Sequence, residues 1–354
     1  MKRIAVVVPG SIAQRSGGYE YDRRMVAGLR ARGWVVSVHE IDGAFPRPSA
    51  AALEAAAQTL AAIPDGCLVL VDGLAFGAMP AEVEREGRRL NFVALVHLPL
   101  AAHVGIDRQE ADRFERGERR ALAAARACVV TGTAAVGTLE AYGVRREQMA
   151  VVEPGTDPAP LARGSRNPVH LVSVAAVTPG KGHEILLRAL ARLRQRAWRL
   201  TCAGSLDRDP ATAARIRELA DAEQVGQHVA LVGELDATEL SALYDSADVF
   251  VHASLHETYG MVVAEALAHG VPVVGSATGA IPDLVGSDAG LLVPPGDAAA
   301  LAGALSSIID DQDVRDRLAA GARRVRSRLP TWDDAVAGMA NVLARLENDG
   351  AFAR

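Results

Sequence analysis

Residues 248–274, DVFVHASLHETYGMVVAEALAHGVPVV, combine an apolar run, a polar loop, an apolar helix and a second apolar run. The first run ends near Ser254, the helix begins around Tyr259 and it closes at Gly270. Continuous β-branched runs are typical of strands that are buried on both faces of a parallel sheet. The stretch therefore predicts a βαβ unit.

The same alternation continues along the chain in two arrays. Strands are predicted at 3–8, 34–39, 67–72, 92–97 and 127–131, and again at 170–174, 199–203, 228–232, 249–253, 271–274 and 290–293. Helices are predicted at 19–32, 48–63, 80–90, 112–125 and 133–142, and again at 183–195, 210–224, 239–245 and 297–309. Repetition of this kind predicts one parallel sheet for each array.

A segment rich in Pro, Gly and small polar residues, 153–168, separates the two arrays. It reads as a linker. We therefore expect an α/β protein with two Rossmann-like domains, at 1–160 and 161–330, facing each other across a cleft. Open α/β sheets bind ligands at the carboxyl ends of their strands, so the chemistry is expected there.

Composition excludes several classes of protein. The 354 residues are 49% hydrophobic with a net charge of −5, which excludes a disordered chain and gives no basic excess for nucleic acid. Three separated cysteines form no CxxC pair and suit a reducing compartment, so we expect a cytoplasmic protein. Charged residues interrupt every long apolar segment, which predicts no membrane-spanning helix.

Two turns have the composition of anion sites. Gly17 and Gly18 directly precede a predicted helix, where backbone N–H groups can approach a phosphate or a sugar, although a plain tight turn explains them equally well. Lys181 lies between Gly180 and Gly182 at another helix entrance, and 36 of the 38 basic residues are arginine. Lys181 is therefore a candidate phosphate ligand, with a chance surface lysine as the alternative.

Candidate carboxylates lie in the stretch quoted first. Glu257 falls in the loop and Glu265 two turns along the helix, where sugar or ribose hydroxyls could donate to it, although a structural salt bridge is the plainer reading for Glu265. His252 and His256 are four residues apart without forming HExxH, and no metal site is expected.

Two further residues follow predicted strands. His97 closes the fourth strand, where a structural histidine and a ligand-binding one are equally expected. Gly279 opens a helix after another strand.

An ordered set of segments resembles the retaining nucleotide-sugar glycosyltransferases of family 4, which have the GT-B fold. The segments are SGGYEYDRRMVAGLRARGW (16–34), EPGTD (153–157), PGKGHEILLRAL (179–190), the Glu257 and Glu265 pair, TGAIPDLV (278–285) and GLLVPPGD (290–297). The tail, 331–354, resembles the helix that crosses back onto the first domain in this fold. The set spans nearly the whole chain in the family's order.

The resemblance implies a role for each matched residue. Lys181 would bind the donor diphosphate, Glu257 the donor sugar near the reacting carbon, and Glu265 the ribose hydroxyls. Backbone amides of the next helix would meet the sugar or diphosphate, a placement that the helix dipole also favours. The helix residues involved are Gly260, Met261 and Val262. Gly18 would lie against the diphosphate from the other domain, and His97 would contact the donor sugar and could also contact the acceptor hydroxyl. Gly279 would help to shape the same pocket.

The chain departs from the family pattern at one place. Ala175 and Ala176 stand where the family usually has Gly-Arg before its lysine, so a second cationic diphosphate contact is missing. Lys181 would then carry more of the leaving-group charge.

These residues lead to the hypothesis of sugar transfer from a nucleotide diphosphate donor, with UDP-sugar favoured, to an acceptor hydroxyl, with retention. In the family's mechanism the acceptor attacks from the face that the diphosphate leaves, with a diphosphate oxygen as base, so no protein nucleophile is expected. No metal or other cofactor is expected either, because the cationic side chain and helix dipoles take its place and no DxD-type motif is evident. Alternatives are a nucleotide-sugar epimerase, a glycoside phosphorylase or a non-catalytic nucleotide-sugar-binding protein. A dehydrogenase is disfavoured because the chain lacks GxGxxG.

The acceptor is not apparent from the residues. A long glycan usually stacks on aromatic side chains, and only 4% of the residues are aromatic. A small soluble acceptor is therefore favoured. Arginines on the first helix could face anionic lipid, but the neighbouring Glu20 and Asp22 favour a solvated face over peripheral membrane contact.

Overall fold

The computed structural model describes residues 2–165 and 167–351. The chain divides into two compact units: Met1–Gly155 with Pro330–Arg354, and Thr156–Leu329. The last three residues of the predicted tail segment, 352–354, lie outside the described residues.

The first unit contains a parallel sheet with helices packed against it. Its strands and helices are β1 (Arg3–Pro9), α1 (Gly17–Ala31), β2 (Val35–Ile41), α2 (Ala50–Ala61), β3 (Leu68–Asp72), α3 (Gly73–Phe76), α4 (Pro80–Glu86), β4 (Asn91–Val96), α5 (Arg108–Ala123), β5 (Ala127–Val130), α6 (Val136–Ala141) and β6 (Met149–Val151). Among the described residues the strand order is β2-β1-β3-β4-β5-β6, and every neighbouring pair is parallel.

The second unit repeats this architecture. Its elements are β7 (Val169–Val174), α7 (His183–Ala191), β8 (Trp198–Ala203), α8 (Pro210–Ala222), β9 (Val229–Gly233), α9 (Ala237–Asp245), β10 (Val249–His252), α10 (Met261–Ala268), β11 (Val273–Ser276), α11 (Ile281–Val285), β12 (Gly290–Val293), α12 (Ala298–Asp310) and α13 (Gln312–Val325). The strand order over the described part of this unit is β12-β11-β10-β7-β8-β9, again parallel throughout. The α/β fold with two Rossmann-like sheets is confirmed.

The burial of the strands explains why they could be predicted from the sequence. All five residues of β3 and all four of β10 are buried, as expected for central strands covered by helices on both faces. The sequence prediction omitted β6, which has three partly buried residues at the sheet edge, and the single-turn α3. It also omitted α13, although the buried Leu318, Gly321, Ala322 and Val325 have helical spacing.

The C-terminal helix α14 (Trp332–Ala351) packs against α1 within the first unit. Gly28 allows this close approach, because a Cβ added there would lie 2.4 Å from Cγ2 of Val336. The Trp332 ring also meets the edge of Tyr21, with ring centroids 6.1 Å apart. Small and aromatic residues thus attach the tail to the unit in which the chain begins.

The division between the units falls after Gly155, a few residues before the position 160 estimated from the sequence. Residues that follow Gly155 are held by the second unit. The backbone N–H of Ala162 donates to the carbonyl of His269 at 2.8 Å, and Arg326 donates to the carbonyl of Ala159 at 2.6 Å. The predicted linker has the same composition on both sides of Gly155. Composition alone therefore does not indicate which unit each part of the linker packs against.

Glu118 on α5 is buried in the first unit, where one of its oxygens accepts from the backbone N–H of Leu100 at 3.1 Å. Burial raises the pKa of Glu118 from 4.5 to about 8, despite that hydrogen bond. The folded state therefore holds this proton more tightly than the unfolded chain does. The contribution of the proton to the free energy of unfolding is fully present below pH 4.5 and is lost as pH rises toward 8.

We therefore expect Glu118→Gln to become more stable relative to wild type as pH rises, by on the order of 2–4 kcal/mol by pH 9. Glutamine keeps an acceptor for Leu100 but has no proton to lose. Thermal unfolding of both proteins from pH 5 to pH 9 measures this difference. A constant difference across that range would contradict the assignment of the buried proton to Glu118.

Candidate functional site

Lys181 lies in a tight turn directly after β7 in the second unit. Gly182 in this turn has φ +69°, and a Cβ added to it would lie 2.0 Å from the carbonyl oxygen of Ala253. The backbone N–H of Leu255 donates to the carbonyl of Gly180 at 2.9 Å. The glycines thus let this turn pack directly against the segment that follows β10.

This packing brings Lys181 to Glu257. The Lys181 Nζ is 3.0 Å from Oε2 of Glu257, and Nε2 of His252 is 3.5 Å from the same oxygen. Burial would raise the pKa of Glu257, but the charge of Lys181 and the contact with His252 outweigh it and lower that pKa. Glu257 is therefore a carboxylate at neutral pH. The side chain of Lys181 is 34% exposed and that of Glu257 is 19% exposed.

Two glycines hold the Glu257 loop against its neighbours. A Cβ on Gly279, which has φ +58°, would lie 1.9 Å from the carbonyl oxygen of Glu257. A Cβ on Gly260, with φ +96°, would lie 2.3 Å from Cδ1 of Ile281. Gly260 is the N-cap of α10, so Met261 and Val262 form the first turn of that helix beside Glu257.

Glu265 lies on α10 and is half-buried. The Tyr244 hydroxyl donates to Oε2 of Glu265 at 2.9 Å, and the Tyr244 ring stacks on His269 at a centroid distance of 5.0 Å. Burial, followed by the charge of Glu265, raises the pKa of Tyr244 well above 10, so the phenol keeps its proton and donates it. The sequence prediction missed Tyr244, because nothing in the α9 pattern separates it from a core tyrosine.

The first unit contains a separate polar cluster around His97, which follows β4. Its Nε2 is 3.3 Å from Oδ1 of Asp22 and 3.7 Å from Oδ2 of Asp72. Gly18 in the first turn of α1 leaves room for the ring, because a Cβ there would lie 3.3 Å from Cδ2 of His97. Gly17 begins α1, with Ser16 as its N-cap.

The two aspartates were not predicted as site residues. Asp22 is 2% exposed, so the expectation of a solvated face is wrong for this residue. Asp72 could have been noticed, because it is a carboxylate that ends a fully apolar run. A metal ion could be held by three His, Cys, Asp or Glu side chains whose ligand atoms lie within 4.8 Å of one another. In the part of the chain described, one group meets this condition, and it consists of Asp22, Asp72 and His97. His97 and Asp22 are already hydrogen-bonded, and Asp72 caps α3 through the N–H of Leu74.

Comparison with known families decides the identity of the second unit. Residues 163–325 match the family described as glycosyl transferases group 1. The second unit is a glycosyltransferase group 1 domain. The match covers Lys181, Glu257, Glu265 and Gly279, and therefore the whole arrangement at the ends of β7, β10 and β11.

Curated relatives of this glycosyltransferase domain carry related names. D-inositol 3-phosphate glycosyltransferase of Xylanimonas cellulosilytica is 32% identical over 65% of this chain and 59% of its own length. The MMP alpha-(1->4)-mannosyltransferase of Mycolicibacterium hassiacum is 33% identical over 59% of this chain and 51% of its own length. The chain thus spans between half and three fifths of these relatives.

Solved structures show the fold of the whole chain. Sucrose-phosphate synthase from Thermosynechococcus elongatus superposes with a TM-score of 0.84 at 23% identity, over 99% of this chain and 100% of that one. HepE of Anabaena in complex with UDP and glucose gives a TM-score of 0.76 at 18% identity, over 97% and 99%. The GT-B fold implied by the resemblance is confirmed. No helix in the described residues is long and apolar enough to cross a membrane.

Proposed function

We propose that the protein transfers a sugar from a nucleotide diphosphate donor, with UDP-sugar favoured, to an acceptor hydroxyl, with retention of configuration and without a metal. The observation that carries the proposal is the Lys181–Glu257 pair at the carboxyl edge of a group 1 domain sheet. It combines one cation for a departing diphosphate with one carboxylate for sugar hydroxyls.

Lys181 can bind phosphate while it stays paired with Glu257. An ammonium group has three N–H donors, and the contact with Glu257 uses one of them. A third of the Lys181 side chain remains exposed, and in this proposal the other two donors bind the ligand. The ion pair therefore positions Lys181 without using up its hydrogen-bonding capacity.

Lys181 carries more of the diphosphate charge in this proposal because the usual second cation is missing. Ala175 and Ala176 stand where the family resembled usually has Gly-Arg. The first turn of α10 supplies amides and the positive end of a helix dipole next to Glu257. These groups share the stabilisation of the leaving diphosphate.

The acceptor we propose is a small soluble hydroxyl compound. The names of the D-inositol 3-phosphate glycosyltransferases, at 32% identity, support this class. His97 would contact the donor sugar, as the family resemblance implies. The reaction requires no protein nucleophile if the acceptor oxygen attacks the anomeric carbon from the face that the diphosphate leaves, while a diphosphate oxygen takes up the acceptor's proton.

A panel of donors tests the proposal. Wild-type protein is incubated with UDP-, GDP- and ADP-glucose and with inositol phosphate or simple sugar acceptors, with and without EDTA, and the anomeric configuration of any product is determined by NMR. We expect one nucleotide series to be consumed in an acceptor-dependent way, with an α product and no effect of EDTA. Orthophosphate dependence would indicate a phosphorylase, and donor isomerisation without acceptor an epimerase. Binding without turnover would indicate a non-catalytic protein.

Tyr244→Phe tests the support of Glu265. The change removes one hydrogen bond to a carboxylate proposed to hold the ribose, and we expect donor affinity to fall about 3- to 10-fold. Isothermal titration calorimetry with the active nucleotide measures it. Tyr142→Phe in the first unit is the matched control. Equal affinity in wild type and Tyr244→Phe would contradict a role for this contact.

A further inference from the structure

The cluster around His97 places two buried carboxyl groups near one nitrogen of its ring. Asp22 and Asp72 are 2% and 4% exposed, and both direct an oxygen at Nε2 of His97. The second oxygen of Asp22 is buried without a hydrogen-bond partner. Burying two acidic groups is costly unless a proton or a cation is shared among them, and the imidazole is the basic group in contact with both.

This arrangement selects the tautomer of His97. A lone pair on Nε2 would face the lone pairs of Asp22 Oδ1 at 3.3 Å, whereas an N–H there donates to that oxygen. The Cδ2 side of the ring faces Gly18, and the rings of Tyr21 and His97 form a T-shaped pair with a centroid distance of 5.4 Å. The polar contacts named above are all made at Nε2, and the His97 side chain is 22% exposed.

We propose that Asp22 and Asp72 are positioning residues that fix a proton on Nε2 of His97, so that Nδ1 is the nitrogen that binds a substrate hydroxyl. The tautomer is a property of the chain alone, and the contact with substrate rests on the proposed function. Nδ1 accepts a hydrogen bond when the ring is neutral and donates one when the ring is charged.

The carboxyl groups around the His97 ring also raise its pKa. Burial lowers the pKa of His97, but the hydrogen bond and charge of Asp22 and the charge of Asp72 raise it overall. Burial and the charge of Asp22 raise the pKa of Asp72 to about 7, against the opposing effect of His97. Tyr21, the other titratable group against the ring, has its pKa raised by burial and stays neutral. Asp22 and Tyr21 lie on α1, and Asp72 ends β3.

Histidine NMR of the substrate-free protein tests the tautomer. Long-range ¹⁵N spectra of ¹⁵N-histidine-labelled protein are recorded between pH 5 and pH 9, with His97→Gln to assign the signals. We expect the neutral ring of wild type to show a protonated Nε2 and an unprotonated Nδ1. A protonated Nδ1 in the neutral ring would overturn the proposal, and this result needs no aspartate variant to fold.

Asp22→Asn and Asp72→Asn then test the positioning role. Each keeps the shape of the side chain and removes a negative charge, and we expect the proton affinity of His97 to fall about tenfold or more in Asp22→Asn. Glu20→Gln, on the same helix and paired with Arg23 and Arg24 at the surface, is the matched control and should leave His97 unchanged. An unchanged titration of His97 in both asparagine variants would overturn the proposal.

The pH profile of kcat/KM tests the contact with substrate. We expect the limb caused by His97 to move to lower pH in Asp22→Asn and to stay in place in Glu20→Gln. A limb that does not move, in an active enzyme with the expected NMR result, would overturn the substrate contact alone. Absence of any transfer together with the expected NMR spectrum would refute the proposed function and the substrate contact while retaining the tautomer.

Discussion

Lys181→Ala is expected to lower kcat/KM for sugar transfer by about 10²- to 10³-fold. The change removes the cation that faces the proposed diphosphate and leaves the Glu257 carboxylate without the ammonium group 3.0 Å from its Oε2, while Nε2 of His252 stays 3.5 Å away. A carboxylate without its cation repels the donor phosphates as well, so both binding and the chemical step should weaken. Initial rates over a range of donor concentrations measure the effect.

The same variant should lose stability only modestly. Lys181 and Glu257 are partly exposed, so solvent screens the unpaired carboxylate and the expected loss is about 1–2 kcal/mol. Lys181→Arg keeps the positive charge and should retain part of the activity. Lys2→Ala, which changes the other lysine of the chain, should behave as wild type. Wild-type turnover by Lys181→Ala would refute the role of this residue in holding the diphosphate.

Gly279→Ala is expected to destabilise the second unit by on the order of 3 kcal/mol and to lower activity together with stability. The added Cβ would lie 1.9 Å from the carbonyl oxygen of Glu257, and φ +58° is unfavourable for alanine. The backbone of the Glu257 loop would have to move, and with it the distance between Glu257 and Lys181. Urea denaturation followed by circular dichroism measures the stability.

Gly233→Ala separates backbone strain from the clash. Gly233 also has a positive φ, +75°, but an added Cβ meets no atom within 4 Å. We expect this control to lose about 1 kcal/mol, the cost of the left-handed conformation alone. Equal losses of stability in Gly279→Ala and Gly233→Ala would show that the close approach to Glu257 is not what requires a glycine at position 279.

Most of the fold was predictable because burial leaves a direct mark on sequence. The strands of both sheets are covered by helices, so they appear as continuous apolar runs such as the LVLV of β3. Shorter elements at the edge, such as β6, bury too little to produce such a run. The unit boundary at Gly155 was displaced from the estimate because it depends on hydrogen bonds made by Ala159 and Ala162 to distant residues.

The sequence predicted the main residues of the candidate site but not the side chains that contact them. Lys181 between two glycines and Glu257 after a strand are local patterns, and the structure brings these two residues together at 3.0 Å. Their pairing connects turns 76 positions apart in sequence. Tyr244 was missed for the same reason, since its contact with Glu265 joins α9 to α10 and leaves no trace in either helix pattern.

By itself the sequence determined the two parallel α/β arrays, the glycine-flanked lysine and the spaced glutamates, because hydrophobic period and turn composition are properties of neighbouring residues. Only the tertiary structure decided that Asp22, on a helix face expected to be solvated, is buried against His97 and Asp72. The ends of β3 and β4 and the first turns of α1 meet through the order of strands in the sheet. That order brings together residues 18, 22, 72 and 97, which no local pattern connects.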